Sequence, residues 1–190
     1  MLENRDRSSL PTALERVALT LRTTGWIAFW LQLVLAVISG AILLVFTIFR
    51  NNANSQSVQG IGFGIFFAIC GLVTLGVGIY FAYRYTRIAR DLLEGEPSTK
   101  PSKADTLQTI RLGLIVNLVG MLFTILGAQA VIGIIVGTSL SQPTGAAVLS
   151  NNNQYVQSLD LFVVQANVNT ITAHFVGIAA SIWLFNRVSR

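Results

Sequence analysis

Residues 112–140 read LGLIVNLVGMLFTILGAQAVIGIIVGTSL. The run holds no Lys, Arg, Asp or Glu, and its apolar residues are continuous rather than alternating. A helix needs roughly 20 such residues to cross about 30 Å of hydrocarbon, whereas a barrel strand alternates apolar and polar positions. In lipid the backbone must satisfy its own hydrogen bonds, so the stretch is expected to be a membrane-spanning helix. A second pattern runs through it: Gly113, Gly120 and Gly127 recur every seven residues. Small residues let membrane helices approach closely, and that period keeps one seam turned toward a neighbour. The segment thus predicts both its solvent and its packing.

Three more charge-free runs have the same character, at about 25–49, 60–83 and 161–186. The chain is 53% hydrophobic and 11% charged, against roughly 25% charged in soluble domains. The fold expected is therefore all-α: an integral membrane four-helix bundle forming one domain over residues 1–190. The seven-residue seam recurs as Gly64, Gly71 and Gly78 in the second span and as Ala166, Ala173 and Ala180 in the fourth. The first span has a looser version, Gly25, Gln32 and Ser39, and Gly60/Gly64 and Gly133/Gly137 form two G-x-x-x-G pairs. Three such stripes predict a compact left-handed bundle with helices crossing at about +20°.

A net charge of +5 would suit nucleic acid, but the charge is segregated. Every Lys and Arg except Arg50 falls in the N-terminal segment, the middle loop or the C-terminus. That is the positive-inside pattern, so both termini and residues 86–110 are expected on the cytoplasmic or stromal side, with no nucleic-acid partner. Trp26, Trp30, Trp183, Tyr80, Tyr83 and Tyr85 are expected at the inner interface. The polar start contains Glu3, Asp6 and Glu15 and has neither the apolar core of a signal peptide nor the acid-poor composition of a transit peptide. The first span then reads as an uncleaved anchor. Cys70 is the single cysteine, which excludes an internal disulfide and suggests a packing residue.

Thr12-Ala13-Leu14-Glu15 has capping-box spacing, and Leu14, Val17, Ala18 and Leu21 share a helical face. Residues 12–24 therefore read as an amphipathic helix on the inner leaflet, or as a water-exposed extension of the first span. Span two continues through RYTRIARDLLEG to a stop at Gly95, and Ser102 with Asp105 offers an N-cap for the helix entering span three. Residues 141–160 are expected to form an outer loop. IYFAYRYTR at 79–87 and IWLFNRVSR at 182–190 match in register, which is compatible with two parallel hairpin repeats or with the shared preferences of inner span ends.

The fourth span carries QANVNTITAH, residues 165–174, with the chain's one histidine. At 100° per residue Gln165, Asn169 and Thr172 share a face, and Asn167, Thr170 and His174 fall nearly opposite. Both faces are expected to need partners, from the bundle or a second subunit. Gln129, Gln32 and Asp160 complete a candidate polar pathway. Interhelical amide glue is the alternative, at about 0.6 kcal/mol per bond. Intramembrane ionisable groups are functional candidates by default, and both readings stay open. A lone His without an intramembrane acid is a poor metal cage, so no cofactor or metal ligand set is assigned. No nucleophile arrangement, H-E-x-x-H or phosphate loop is present, and GIGFG at 60–64 is packing glycine, so the chain reads as a non-enzyme.

RTTGWIAFWLQLVLAVISGAILL (22–44) and DLFVVQANVNTITAHFVGI (160–178) carry a resemblance. Through Gly25-Trp26, Phe29-Trp30-Leu31-Gln32, Gln165, Asn169-Thr170 and His174-Phe175, the chain resembles the cyanobacterial and plastid family of the chloroplast inner-envelope translocon subunit Tic-twenty-one, also described as a permease. The resemblance implies a multi-pass protein of a cyanobacterial inner or thylakoid membrane, equivalent to the inner envelope. It also implies transport or iron homeostasis, with iron or another metal ion as cargo, or alternatively a protein-import scaffold that binds other membrane proteins. Membrane lipid and a homo-oligomer are the other expected partners, because four helices make a small pore by themselves.

Overall fold

The computed structural model describes residues 12–52, 61–94, 100–140 and 158–189. These form four helices, α1 (Thr12–Asn52), α2 (Ile61–Glu94), α3 (Lys103–Leu140) and α4 (Ser158–Ser189), with no strand among the described residues. Each is long and apolar enough to cross a membrane, so the protein is a multi-pass, all-α four-helix bundle. Each helix packs on its neighbours in sequence, α1 closes the ring against α4, and α2 touches α4 across the diagonal. Of the expected loop at 141–160, residues 141–157 lie outside what is described, as do Gly60 and the side chain of Asp160, while residues 158–160 already belong to α4.

The helices overrun the hydrocarbon. At about 1.5 Å per residue, α1 with its 41 residues is about 60 Å long. Residues 12–24 are its first turns and do not form a separate helix on the leaflet. Ala18 and Leu21 are fully buried, and they pack with Tyr85, Ala89, Ile110 and Leu184. Their apolar face is covered by the other three helices, which leaves it nothing to offer a lipid surface. Ser102 starts α3 as a cap: its hydroxyl accepts from the Asp105 amide at 3.1 Å and donates to the Asp105 carboxylate at 2.6 Å.

The seven-residue seams form the packing surfaces. On α2 and α3 the steps coincide: a Cβ on Gly64 would meet Val131, one on Gly71 would strike Thr124, and one on Gly78 would strike Asn117. Continuing the same register, the Tyr85 hydroxyl reaches the Ile110 carbonyl at 3.5 Å. Gly113 lies against Tyr85 and Phe81, Gly120 against His174, and Gly127 against the Gly64 carbonyl and the Ala68 amide. The looser seam of α1 is equally buried at Gly25, Gln32 and Ser39, and Ala166, Ala173 and Ala180 line α4. Gly133 is different: among the described residues, a Cβ there would meet nothing.

The core has three levels. One apolar plug joins Leu21, Tyr85, Ile110 and Leu184 at the basic end, and another joins Leu43, Phe46, Val131 and Val163 at the far end. Polar side chains occupy the middle. Trp26, Trp30, Tyr80, Tyr83 and Trp183 point outward as expected of an interfacial belt, with Trp26 stacked on Trp30 at 6.0 Å. Tyr85 departs from that belt. It is 2% exposed, with its hydroxyl 3.3 Å from Ser181, because its position on α2 falls on the seam facing α3.

Candidate functional site

The four helices converge between the plugs on His174, which has no exposed surface. Its approach is possible because Gly120 lacks a side chain: a Cβ there would strike the imidazole and the Thr74 hydroxyl. Gly177, one turn along α4, opens space for Gln32 and Asn117 in the same way. Each helix supplies a polar group. Gln32 of α1 donates through Nε2 to Asn117 Oδ1 at 2.9 Å and to the Ala173 carbonyl at 3.1 Å. Asn117 of α3 donates through Nδ2 to the Gly113 carbonyl at 2.8 Å. His174 Nδ1 lies 3.2 Å from Asn117 Oδ1, and Nε2 lies 3.2 Å from the Gly71 carbonyl of α2.

Proton counting defines what this junction can do. Both imidazole nitrogens face oxygen acceptors, and a neutral ring carries only one N–H. Turning the Asn117 amide over would set its oxygen against the Gly113 carbonyl, so the orientation above is the consistent one. A neutral ring satisfies one of the two contacts; only an imidazolium donates to both. The Gly71 carbonyl also accepts from Thr74 Oγ1 at 2.8 Å and Asn117 Oδ1 from Gln32 Nε2 at 2.9 Å, so each acceptor already has a side-chain donor besides the ring. On α1, Gln32 Oε1 is buried with no hydrogen-bond partner among the described residues. The junction thus holds one unspent amide oxygen and, joined to the same side chain through Asn117, one imidazole.

The other expected pathway residues divide. Asn167 and Thr170 are buried on the same side as His174, bonded to the Val163 and Ala166 carbonyls of their own helix at 3.2 and 2.8 Å. Asn167 Oδ1 is left without a partner, and Ser39 of α1 also donates to the Ala166 carbonyl, at 3.0 Å. Gln165, Thr172 and Gln129 are exposed and Asn169 is half-buried, so none of the four enters the junction. Within the bundle the outer face of α4 is paired locally: Gln165 Nε2 donates to Asn169 Oδ1 at 3.0 Å, and Thr172 donates to the Val168 carbonyl at 2.9 Å. Local pairing one turn away absorbs part of what a partner would supply.

Asn117 belongs at the centre of the site although QANVNTITAH draws attention to α4. Its signal was positional: it lies four residues after Gly113 and three before Gly120, on the glycine seam. The Gly71 carbonyl had no signal at all, since backbone acceptors carry no side-chain letter. Among the described residues no three His, Cys, Asp or Glu side chains converge. A metal ion would therefore meet one imidazole and neutral amide or carbonyl oxygens here.

A curated relative from Arabidopsis thaliana, named Protein TIC 21, chloroplastic, is 29% identical over 181 residues. That alignment covers 93% of this chain and 59% of the relative, so the chain spans well under two thirds of that protein. No solved structure matches the chain. The family model described as Protein of unknown function (DUF3611) matches residues 11–189. With both plugs, the junction and all four helices inside that match, the chain belongs to the DUF3611 family.

Proposed function

We propose that the protein is a membrane transport protein acting in metal-ion homeostasis, with the His174 junction as the point at which a cation is handled. The observation that carries this reading is the junction itself: the chain's one histidine, wholly buried at mid-bundle, bonded to Gly71 of α2 and Asn117 of α3, with Gln32 of α1 bonded in turn to Asn117. Intramembrane ionisable groups are costly and are candidates for ion or proton pathways by default. The unpartnered Gln32 oxygen adds an acceptor that a purely structural network would use. Neutral oxygens and one imidazole suit transient passage of a cation, because tight capture calls for several anionic or imidazole ligands. The glycine seams are closed around the ring, so passage requires the helices to part and reclose. The basic end, with Arg84, Arg87, Arg90 and Lys103, faces the cytoplasmic side of an inner or thylakoid-type membrane.

The test is ferrous-ion flux into liposomes holding the purified chain. His174→Leu should give a stable, correctly inserted protein whose flux falls at least tenfold. Wild-type flux from that variant would overturn the assignment of the junction.

A second reading has its own observation. Gln165, Thr172 and Gln129 turn outward on α3 and α4, where lipid offers no hydrogen bonds. A scaffold that docks another membrane protein, or a second copy of the chain, would use that face. Loss of a copurifying partner on Gln165→Leu, with flux unchanged, would favour it.

A further inference from the structure

At the basic end α2 and α3 diverge and leave a cleft of about 380 Å³. Its walls carry Tyr80, Tyr83, Arg84 and Arg87 from α2, and its floor is Ile88 with Thr106 and Thr109, all three buried. The threonine hydroxyls are turned into α3, donating to the Ser102 and Asp105 carbonyls at 3.0 and 2.9 Å. The donors left for a ligand are therefore two guanidinium groups and two phenols. Among the described residues neither arginine makes an ion pair. Two acids also line the cleft. Asp105 is occupied by its cap with Ser102, and Asp91 sits a turn farther from the membrane than Arg87.

The cleft's position identifies the occupant. Val73, Val77, Tyr80, Arg84, Arg87 and Asp91 follow one another at three- or four-residue steps, so they form a single stripe along α2. Val73 and Val77 are exposed within the hydrocarbon-facing part, and Leu112 and Ile115 are exposed on the adjacent α3. A ligand filling the cleft would thus have its charged part among the arginines and an apolar part running outward along both helices. Planar guanidinium groups pair with phosphate oxygens in a fork, and interfacial tyrosines sit at headgroup depth. The positive end of α3 opens into the same space.

We propose that the cleft between the end of α2 and the start of α3 is a binding site for an anionic phospholipid, whose phosphate is held by Arg84 and Arg87 beside the Tyr80 and Tyr83 hydroxyls. Basic pockets between transmembrane helices take lipid phosphates in this way. The site is distinct from the junction at His174 and does not depend on the transport reading.

The experiment is lipid titration of the full chain in detergent, read by native mass spectrometry, with phosphatidylglycerol and phosphatidylcholine as probes. Phosphatidylglycerol should bind preferentially, and the Arg84→Gln/Arg87→Gln double variant should lose about tenfold or more in affinity. Arg90→Gln removes the same kind of charge from the same helix outside the cleft and should change binding less than twofold. Asp91→Asn removes the free acid and should tighten binding severalfold. An equal loss in Arg90→Gln, no preference between the two lipids, or displacement by millimolar inorganic phosphate alone would overturn the proposal. If the double variant fails to fold, Asp91→Asn decides: unchanged affinity there also overturns it.

Discussion

Asn167, Thr170 and His174 stand on one side of α4 and Gln165, Asn169 and Thr172 on the other, and the bundle treats the two sets differently. The inner set is buried, and its histidine is engaged by α2 and α3. The outer set is exposed at Gln165 and Thr172 and half-buried at Asn169, and it pairs locally, Gln165 with Asn169 and Thr172 with its own backbone. Residue type does not separate them, since amides and threonines occur in both. What separates them is the size of the opposing residue. Gly71 and Gly120 let other helices come within reach of the imidazole. The polar letters say that a helix has something to offer, and the glycines decide which side is taken.

The largest expected effect comes from closing that approach. Gly120→Leu drives a side chain into His174 and Thr74, an overpacking typically worth about 1–3 kcal/mol. Thermal melting in detergent should fall clearly, while Gly133→Leu, whose Cβ meets nothing, should melt as wild type. Equal melting temperatures for both variants would erase the distinction between inner and outer glycines.

Removing the shared acceptor should cost somewhat less. Asn117→Leu leaves the Gln32 amide without one of its two acceptors and the imidazole without its Nδ1 partner. An unsatisfied buried donor costs about 1–3 kcal/mol, so chemical or thermal unfolding should register it. Asn117→Asp tests the same point from the other direction: it keeps the acceptor, so its stability should exceed that of Asn117→Leu.

The smallest effect is expected on the outer face. Gln165→Leu with Asn169→Leu removes one exposed amide pair, and membrane hydrogen bonds average about 0.6 kcal/mol. Monomer stability should hold within about 1 kcal/mol. Cross-linking in membranes then sharpens the comparison, because loss of self-association in this double variant would give the outer face a partner.

Much of this architecture is legible in the sequence for a physical reason. Lipid admits few backbone solutions, so the charge-free runs announce spans, and the seven-residue glycines announce seams. The path through Gly64, Gly71 and Gly78 onto α3 follows from period alone. Other features depend on which neighbour arrives. Whether Ala18 and Leu21 meet lipid or protein turns on the ends of three other helices. Tyr85 looks interfacial by depth but is drawn inward by the seam. Gln129 looks like a pathway residue by polarity, yet α3 turns it outward. At the site, Gln32 and His174 could be singled out as polar letters in apolar runs, whereas their meeting through Asn117 and the Gly71 carbonyl depends on the register between helices.

The unbroken course of α1 has a mechanical consequence. Gln32 is the midpoint of a rod that runs from Thr12 to Asn52 without a proline or a break. A tilt of about 10° around that midpoint would sweep each end through about 5 Å, on a half-length of about 30 Å, while scarcely displacing Gln32. The amide then works as a fulcrum, held by Asn117 and the Ala173 carbonyl. Leverage applied to Ala18 and Leu21 in one plug would be felt at Leu43 and Phe46 in the other, in the opposite direction. One plug would loosen as the other tightened.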